Sequence, residues 1–239
     1  MIGDFMQAVY QELTPSGTLR VAINLNSAVV QHPATGSAEP SGLAIDLANE
    51  LGRRLSVPTS LLGLEGVFGI VQAGIAGSWD IAFLAVDPAH SQHFAFTSPY
   101  IAFEGTYLVH DGSPNRSVLD LDREGVRIAV ADGATYDLYL TRTLRHARLV
   151  RLPTFKLALE LFLSEGLDAV AGLKQALEAF AMRNRGLHLI NGRFAAIEHA
   201  IAVPKGHSAG LKYLKAFVDE LKAKGRVGAA LMSHEDHGR

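Results

Sequence analysis

Residues 80–109 read Asp-Ile-Ala-Phe-Leu-Ala-Val-Asp-Pro-Ala-His-Ser-Gln-His-Phe-Ala-Phe-Thr-Ser-Pro-Tyr-Ile-Ala-Phe-Glu-Gly-Thr-Tyr-Leu-Val, and the parsing of this stretch decides the fold. Ile81–Val86 is a short apolar run with the length and composition of a strand buried on both faces. Asp87-Pro88 ends it, because proline donates nothing to a ladder and restricts the residue before it. Phe94-Ala95-Phe96 is a second extended piece, cut off at Ser98-Pro99. Phe103–His110 then resumes as a long strand, with Phe103, Tyr107 and Val109 on one face and Glu104, Thr106 and Leu108 on the other. That succession is expected of a chain leaving one lobe for another.

On the N-terminal side, residues 1–14 predict a short amphipathic helix stopped by Pro15-Ser16-Gly17. Thr18–Asn24 predicts a strand, and His32–Ser41 a polar turn-rich stretch. Leu43, Leu47, Leu51 and Leu55 recur at steps of four, one face of a helix. Pro58–Leu64 follows as a strand and Val67–Ile75 as a helix, with Gly77 able to cap its end. On the C-terminal side the alternation repeats. Val126–Ala131, Leu149–Leu152, Leu167–Ala171 and Leu187–Ile190 are predicted strands. Tyr136–Leu144, a segment capped by Thr154 and Leu173–Arg183 are predicted helices. A strand at Ala200–Val203, a long helix ended by Gly225 and a further short helix complete the chain. Strand–helix alternation of this kind predicts α/β units with mostly parallel sheets. The cleft between two such lobes is the expected ligand site.

A chain of 239 residues suffices for one large or two small cores, and 19% charged residues against 48% hydrophobic ones is a globular balance. With a net charge of −2 and no basic block, neither nucleic acid nor an anionic membrane surface is an expected partner. No apolar run approaches the roughly 18–20 residues that span a bilayer. There is no cysteine, which excludes disulfides, thiolate nucleophiles and Cys-ligated metals. The N-terminus lacks the basic start and apolar core of a signal peptide. The expectation is therefore either a cytoplasmic chain or one that begins after a cleavage site.

Several short motifs stand in order along the chain: Gly17-Thr18-Leu19-Arg20-Val21-Ala22, Gly42-x-x-x-Asp46-Leu47-Ala48, Gly77-Ser78-Trp79-Asp80 and Phe96-Thr97-Ser98-Pro99-Tyr100. Gly125-Val126-Arg127-Ile128-Ala129-Val130 with Gly133, Leu167-Asp168-Ala169 and Ala200-Ile201-Ala202-Val203-Pro204-Lys205-Gly206 follow. Together they resemble the family 3 bacterial solute-binding proteins, the amino-acid-type binding components of ABC importers, from about Pro15 onward. The resemblance implies an α/β, two-lobe type II periplasmic-binding-protein-like fold with a hinge cleft. Lobe 1 is expected to be residues 1–107 plus 194–239, and lobe 2 residues 108–193. It also implies a small-molecule ligand, an ABC permease as partner, a monomer and a periplasmic location.

In the family's amino-acid binders, an arginine after the strand that begins at Asp80 grips the ligand carboxylate. Matching back from the Phe-Thr-Ser-Pro corner places His90 there, with a turn about two residues shorter. The acidic residue that takes the α-ammonium corresponds to Leu173 or near it, and the stacking aromatic to Ser27. Three parts of the usual clamp are thus replaced. The expected ligand is an anionic or zwitterionic solute less like an α-amino acid.

Each candidate residue has a plainer reading beside the functional one. Gly133-Ala134-Thr135 lies at a helix N-terminus, where free amides favour an anion. Alternatively it is an ordinary turn capped by Thr135 or Asp132. His90 either donates to a ligand carboxylate or is a solvated turn residue. Glu104, with no basic partner nearby in sequence, either faces the cleft or is a solvated strand position. Asn24 orders the cleft or caps a turn, and Phe68 and Phe103 form an apolar wall or simple core. Arg193 replaces the lost arginine or makes a surface salt bridge. Ala85 and Asp87, ending the central strand, complete the set. No metal is expected at His90 and His93, no cofactor, and no catalytic motif such as Gly-x-Ser-x-Gly, His-Glu-x-x-His or a Walker loop is present. The leading expectation is a non-catalytic binding protein. The alternatives are a ligand-sensing module without an importer, and a small-acid dehydratase using Glu104 or His90 as general acid.

Overall fold

A computed structural model describes residues 2–25, 30, 40–64 and 66–225. The chain divides into two compact units, Met1–Ile101 with Glu198–Arg239, and Ala102–Ile197. Ser27, most of His32–Ser41 and the short helix expected after Gly225 lie outside the described residues.

The first unit opens with helix α1 (Ile2–Leu13), followed by β1 (Leu19–Asn24), α2 (Leu43–Leu55), β2 (Thr59–Leu64), α3 (Val67–Ile75), β3 (Ile81–Ala85) and β4 (Phe94–Phe96). The chain returns to it through β10 (Ala195–Pro204) and ends in α7 (Ser208–Ala223). Strand β1 lies between β2 and β3 and is parallel to both; β10 runs antiparallel to β3 and β4. All five residues of β3 are buried, as its unbroken apolar run requires. Trp79 closes the core beneath it, donating Nε1–H to the Ile70 carbonyl at 2.8 Å and packing on Phe94. Helix α1 docks on α7, with Val9 and Leu13 fully buried and Glu12 Oε2 accepting from the Gly210 amide at 2.7 Å.

The second unit contains β5 (Ile101–His110), β6 (Arg127–Ala131), α4 (Thr135–Thr143), β7 (Arg148–Leu152), α5 (Phe155–Ser164), β8 (Ala169–Leu173), α6 (Lys174–Arg183) and β9 (Leu187–Leu189). Strand β6 is parallel to β7 and β8, while β5 is antiparallel to β8 and β9. Thr154 caps α5 as its sequence position predicts, accepting from the Leu157 amide at 3.2 Å. Leu108, Ala158, Phe162, Val170 and Leu177 form the core between sheet and helices. The sheets are less uniformly parallel than the alternation predicts. The long strands β5 and β10 carry the chain from one unit to the other and run against the strands wound by helices.

One device recurs in both units. Asp80, just before β3, accepts from the Arg20 amide at 2.9 Å, while its own amide donates to the Arg20 carbonyl at 2.9 Å. Asp168, just before β8, does the same with Arg127, at 2.7 Å and 3.1 Å. Each aspartate thus locks the start of one parallel strand to the start of its neighbour. In the first unit the lock is stronger, because Arg20 also grips the buried Asp80 carboxylate through Nε at 3.1 Å and Nη2 at 2.6 Å. Asp80→Ala is therefore expected to lower unfolding free energy by about 3 kcal/mol, with a smaller loss of about 1–2 kcal/mol for Asp168→Ala. Urea denaturation of both variants checks the order; equal losses would show that the side-chain pair adds nothing to the backbone bracket.

Candidate functional site

In open α/β sheets the carboxyl ends of parallel strands are where ligands bind, because helix N-termini and short loops converge there. In the first unit that edge carries Asn24, Ala85, Asp87 and the start of α3. Asn24 ends β1 and accepts through Oδ1 from the Gly66 amide at 3.1 Å, which ties the β2–α3 loop to the strand. Phe68 follows on the first turn of α3 and is 77% exposed, so it is not a core residue. Phe103, by contrast, is buried. Past β3, Asp87 is buried and accepts from the Ala89 amide at 2.9 Å, starting a 3-10 turn at His90–Gln92.

His90 is buried in that turn, with Nδ1 3.2 Å from the Ala85 carbonyl. Since a carbonyl only accepts, Nδ1 carries the proton and Nε2 is the remaining position of the ring. The contact fixes the ring to the end of β3, so the simple solvated turn residue is not what the fold contains. Ala85 is also the cross-strand partner of His199 on β10, which is itself buried. Burial pushes the His199 imidazole down to about 4.

In the second unit the corresponding edge gathers Glu104, Gly133–Thr135, Leu173 and Arg193. Gly133 takes φ +68°, a conformation suited to glycine, as the chain turns from β6 into α4. Its amide is already used: Asp137, buried in the first turn of α4, accepts from it at 3.0 Å. Arg151 Nε in turn donates to both Asp137 oxygens, at 3.0 and 3.2 Å. The capping expected of Thr135 or Asp132 therefore falls to Asp137, four residues beyond Gly133. Asp132 itself is exposed, and its carboxylate is 4.0 Å from Arg151 Nε. What an incoming anion can meet here is the later amides of the helix start, at Thr135 and Tyr136.

Glu104 corrects the sequence reading most. It has two basic partners, both distant in sequence: Lys174 Nζ at 3.2 Å from Oε2 and Arg193 Nη1 at 3.1 Å from Oε1. Lys174 above all, and then Arg193, hold the Glu104 carboxyl below the usual carboxylate range. The antiparallel register sets Leu173 opposite Gly105, so Glu104, before Gly105, and Lys174, after Leu173, are brought to one edge only by strand pairing. Lys174 had no signal in the local sequence. Its charge stands beside Leu173, the position at which the resemblance implies an acidic residue.

The segment carrying Arg193 is fastened to β5. The Ile190 amide donates to the Tyr107 carbonyl at 3.0 Å, Thr106 Oγ1 donates to the Gly192 carbonyl at 3.0 Å, and the Phe194 amide donates to the Gly105 carbonyl at 2.9 Å. The Phe194 ring lies so close over Gly105 that a Cβ there would come within 2.5 Å of it. Tyr107 and Tyr139 flank the same ring, with centroids at 4.8 and 6.0 Å.

The family described as bacterial extracellular solute-binding proteins, family 3, matches residues 19–233. An ABC transporter glutamine-binding protein, GlnH, of Bacillus subtilis is 22% identical over 201 residues, covering 82% of this chain and 72% of the relative. Among solved structures, ArgBP of T. maritima superposes with a TM-score of 0.79 at 22% identity, over 95% of this chain and 98% of that one. An arginine-bound amino acid ABC transporter substrate-binding protein of Streptococcus pneumoniae gives 0.78 at 21% identity, over 92% and 95%. An ancestral amino acid-binding protein, a precursor of cyclohexadienyl dehydratase, gives 0.78 at 22% identity, over 93% and 97%. These likenesses establish the fold, the two-lobe α/β type II periplasmic-binding-protein kind. No helix among the described residues is long and apolar enough to cross a membrane, and no group of three or more His, Asp or Glu among them could hold a metal ion.

The buried His199 makes stability pH-dependent with a definite sign. Its folded value of about 4 lies below an unfolded value of about 6.5. The unfolded chain therefore takes up the proton first as pH falls. The stability at stake is fully present above about pH 6.5 and is lost down to about pH 4, by about 3 kcal/mol in total. Urea titrations at pH 7.5, 6 and 5 are expected to show this decline, and His199→Asn to flatten it. An unchanged slope in the variant would assign the decline to other groups.

Proposed function

The chain belongs to the bacterial extracellular solute-binding proteins, family 3, and on that premise we propose that it binds a small anionic or zwitterionic organic solute and hands it to an ABC permease. The binding residues are Asn24, Phe68, Ala85, Asp87 and His90 of the first unit, with Glu104, Gly133–Thr135, Leu173 and Arg193 of the second. The single observation that carries this reading is that these residues, scattered through the sequence, gather at the carboxyl-terminal strand edge of each unit. The glutamine-binding relative and the arginine-bound structure indicate the size class of the solute. The polar groups differ from the usual amino-acid clamp, with His90 in place of an arginine and Leu173 in place of an acid.

The charge state of Glu104 favours binding over catalysis. A general acid must carry its proton near the working pH. Glu104 is held ionised by Lys174 and Arg193, so the dehydratase reading loses one of its two acids.

A thermal-shift screen of small metabolites, including amines, sugars, amino acids and organic acids, tests the proposal. A ligand at about 100 times its Kd adds about 2.7 kcal/mol, which for a chain of this size raises Tm by roughly 5–10 °C. At least one anionic or zwitterionic solute is expected to do so, and His90→Ala and Asn24→Ala to reduce the shift while leaving the ligand-free Tm within a few degrees. A screen without any stabilising solute, or a shift indifferent to both substitutions, would count against the reading.

A further inference from the structure

The trio Glu104, Lys174 and Arg193 carries the solute's identity further, on the premise that the chain binds a solute at all. We propose that Arg193, held in place by Glu104, is the carboxylate-binding residue of the second unit, and that the ligand is an organic acid without an α-ammonium group.

Three observations lead there. First, Arg193 spends only Nη1 on Glu104, and no other hydrogen bond to it is made among the described residues. The Nε–Nη2 edge of its guanidinium stays open, and that edge is a planar fork matched to a carboxylate. Second, the segment under it is rigid: bonds from Ile190, Gly192 and Phe194 to β5 fasten both sides, and Phe194 seats on Gly105. An arginine so mounted loses little freedom on binding. Third, the local charge has the wrong sign for an ammonium. One carboxylate and two cations, −1 and +2, leave +1 at an edge where Leu173 stands in the place of an acid. All three side chains reach solvent, at 40% exposure for Glu104, 44% for Lys174 and 56% for Arg193. Each oxygen of Glu104 is engaged by one cation, so its part in the binding set is to position Arg193.

Matched pairs of probes make the test. Calorimetry compares succinate, glutarate and 2-oxoglutarate with aspartate and glutamate at fixed ionic strength, for wild type, Arg193→Lys and Leu173→Asp. Tm and circular dichroism of the ligand-free variants serve as controls for folding. The acids are expected to bind at least tenfold tighter than the amino acids of the same length. Arg193→Lys, which keeps the charge but not the fork, should weaken the acids roughly 10- to 100-fold. Leu173→Asp, which adds a carboxylate where the ammonium would lie, should move the preference toward glutamate and aspartate. Tighter binding of the amino acids by wild type, or an unchanged affinity for the acids in a folded Arg193→Lys, overturns the inference. Stabilisation in the wider screen by zwitterionic solutes alone also overturns it, while leaving the proposed function intact; stabilisation by amines or neutral solutes alone overturns both. No binding of any solute in either set overturns both.

Discussion

The reciprocal bond between an aspartate before one parallel strand and an arginine backbone at the start of the next is the constraint on which the rest depends. Asp80 with Arg20, and Asp168 with Arg127, set the stagger of β1 against β3 and of β6 against β8. Side-chain direction alternates along a strand, so a slip by one residue would turn every side chain to the opposite face. A fixed start also fixes where each strand ends. Asn24, Ala85, Ala131 and Leu173 are such ends, and the loops that follow them hold the candidate binding residues. The motif residues Trp79 and Asp80 thus act at the far end of the strand from those loops, as parts of the scaffold.

The two carboxyl-terminal strand edges differ in how their polar groups are held. In the first unit the groups are hydrogen-bonded to backbone, Asn24 to Gly66, Asp87 to Ala89 and His90 to Ala85, with Asp87 and His90 buried. In the second they are charged and half-exposed, and they hold one another. An exposed ion pair contributes little to stability, because water screens it and two long side chains must be ordered. The Glu104 cluster is therefore poorly explained as a stabilising feature. Asp137 shows the contrasting case. It is buried, bonded to the Gly133 amide and to Arg151, and shapes the turn from within.

The proposed binding set differs from an amino-acid clamp. That clamp sets an arginine against the carboxylate and an acid against the ammonium. In the binding set proposed here an imidazole anchored to the Ala85 carbonyl takes the first place, and Leu173 followed by Lys174 the second. The likeness to arginine- and glutamine-binding proteins lies in the scaffold, at 22% identity or below in the compared chains. A scaffold of this sort constrains where a ligand sits far more than which ligand it is.

By itself the sequence determined the alternation of strands and helices, because apolar period and turn residues are local properties. The Leu43–Leu55 face, the Thr154 cap and the buried run at Ile81–Ala85 could all be read from a few neighbouring residues. It also determined the family, since motif order along the chain is a one-dimensional property. What only the tertiary structure decided was which side chains meet. Glu104 has no basic partner nearby in sequence; Lys174 and Arg193 lie 70 and 89 residues away and arrive through β5–β8 pairing and the pinned 190–194 segment. Asp137, rather than Asp132 or Thr135, takes the Gly133 amide because one helical turn brings it back over the loop. Phe68 and Phe103, alike in composition, part company at the surface and in the core, because exposure depends on what packs above a residue and not on the residue itself.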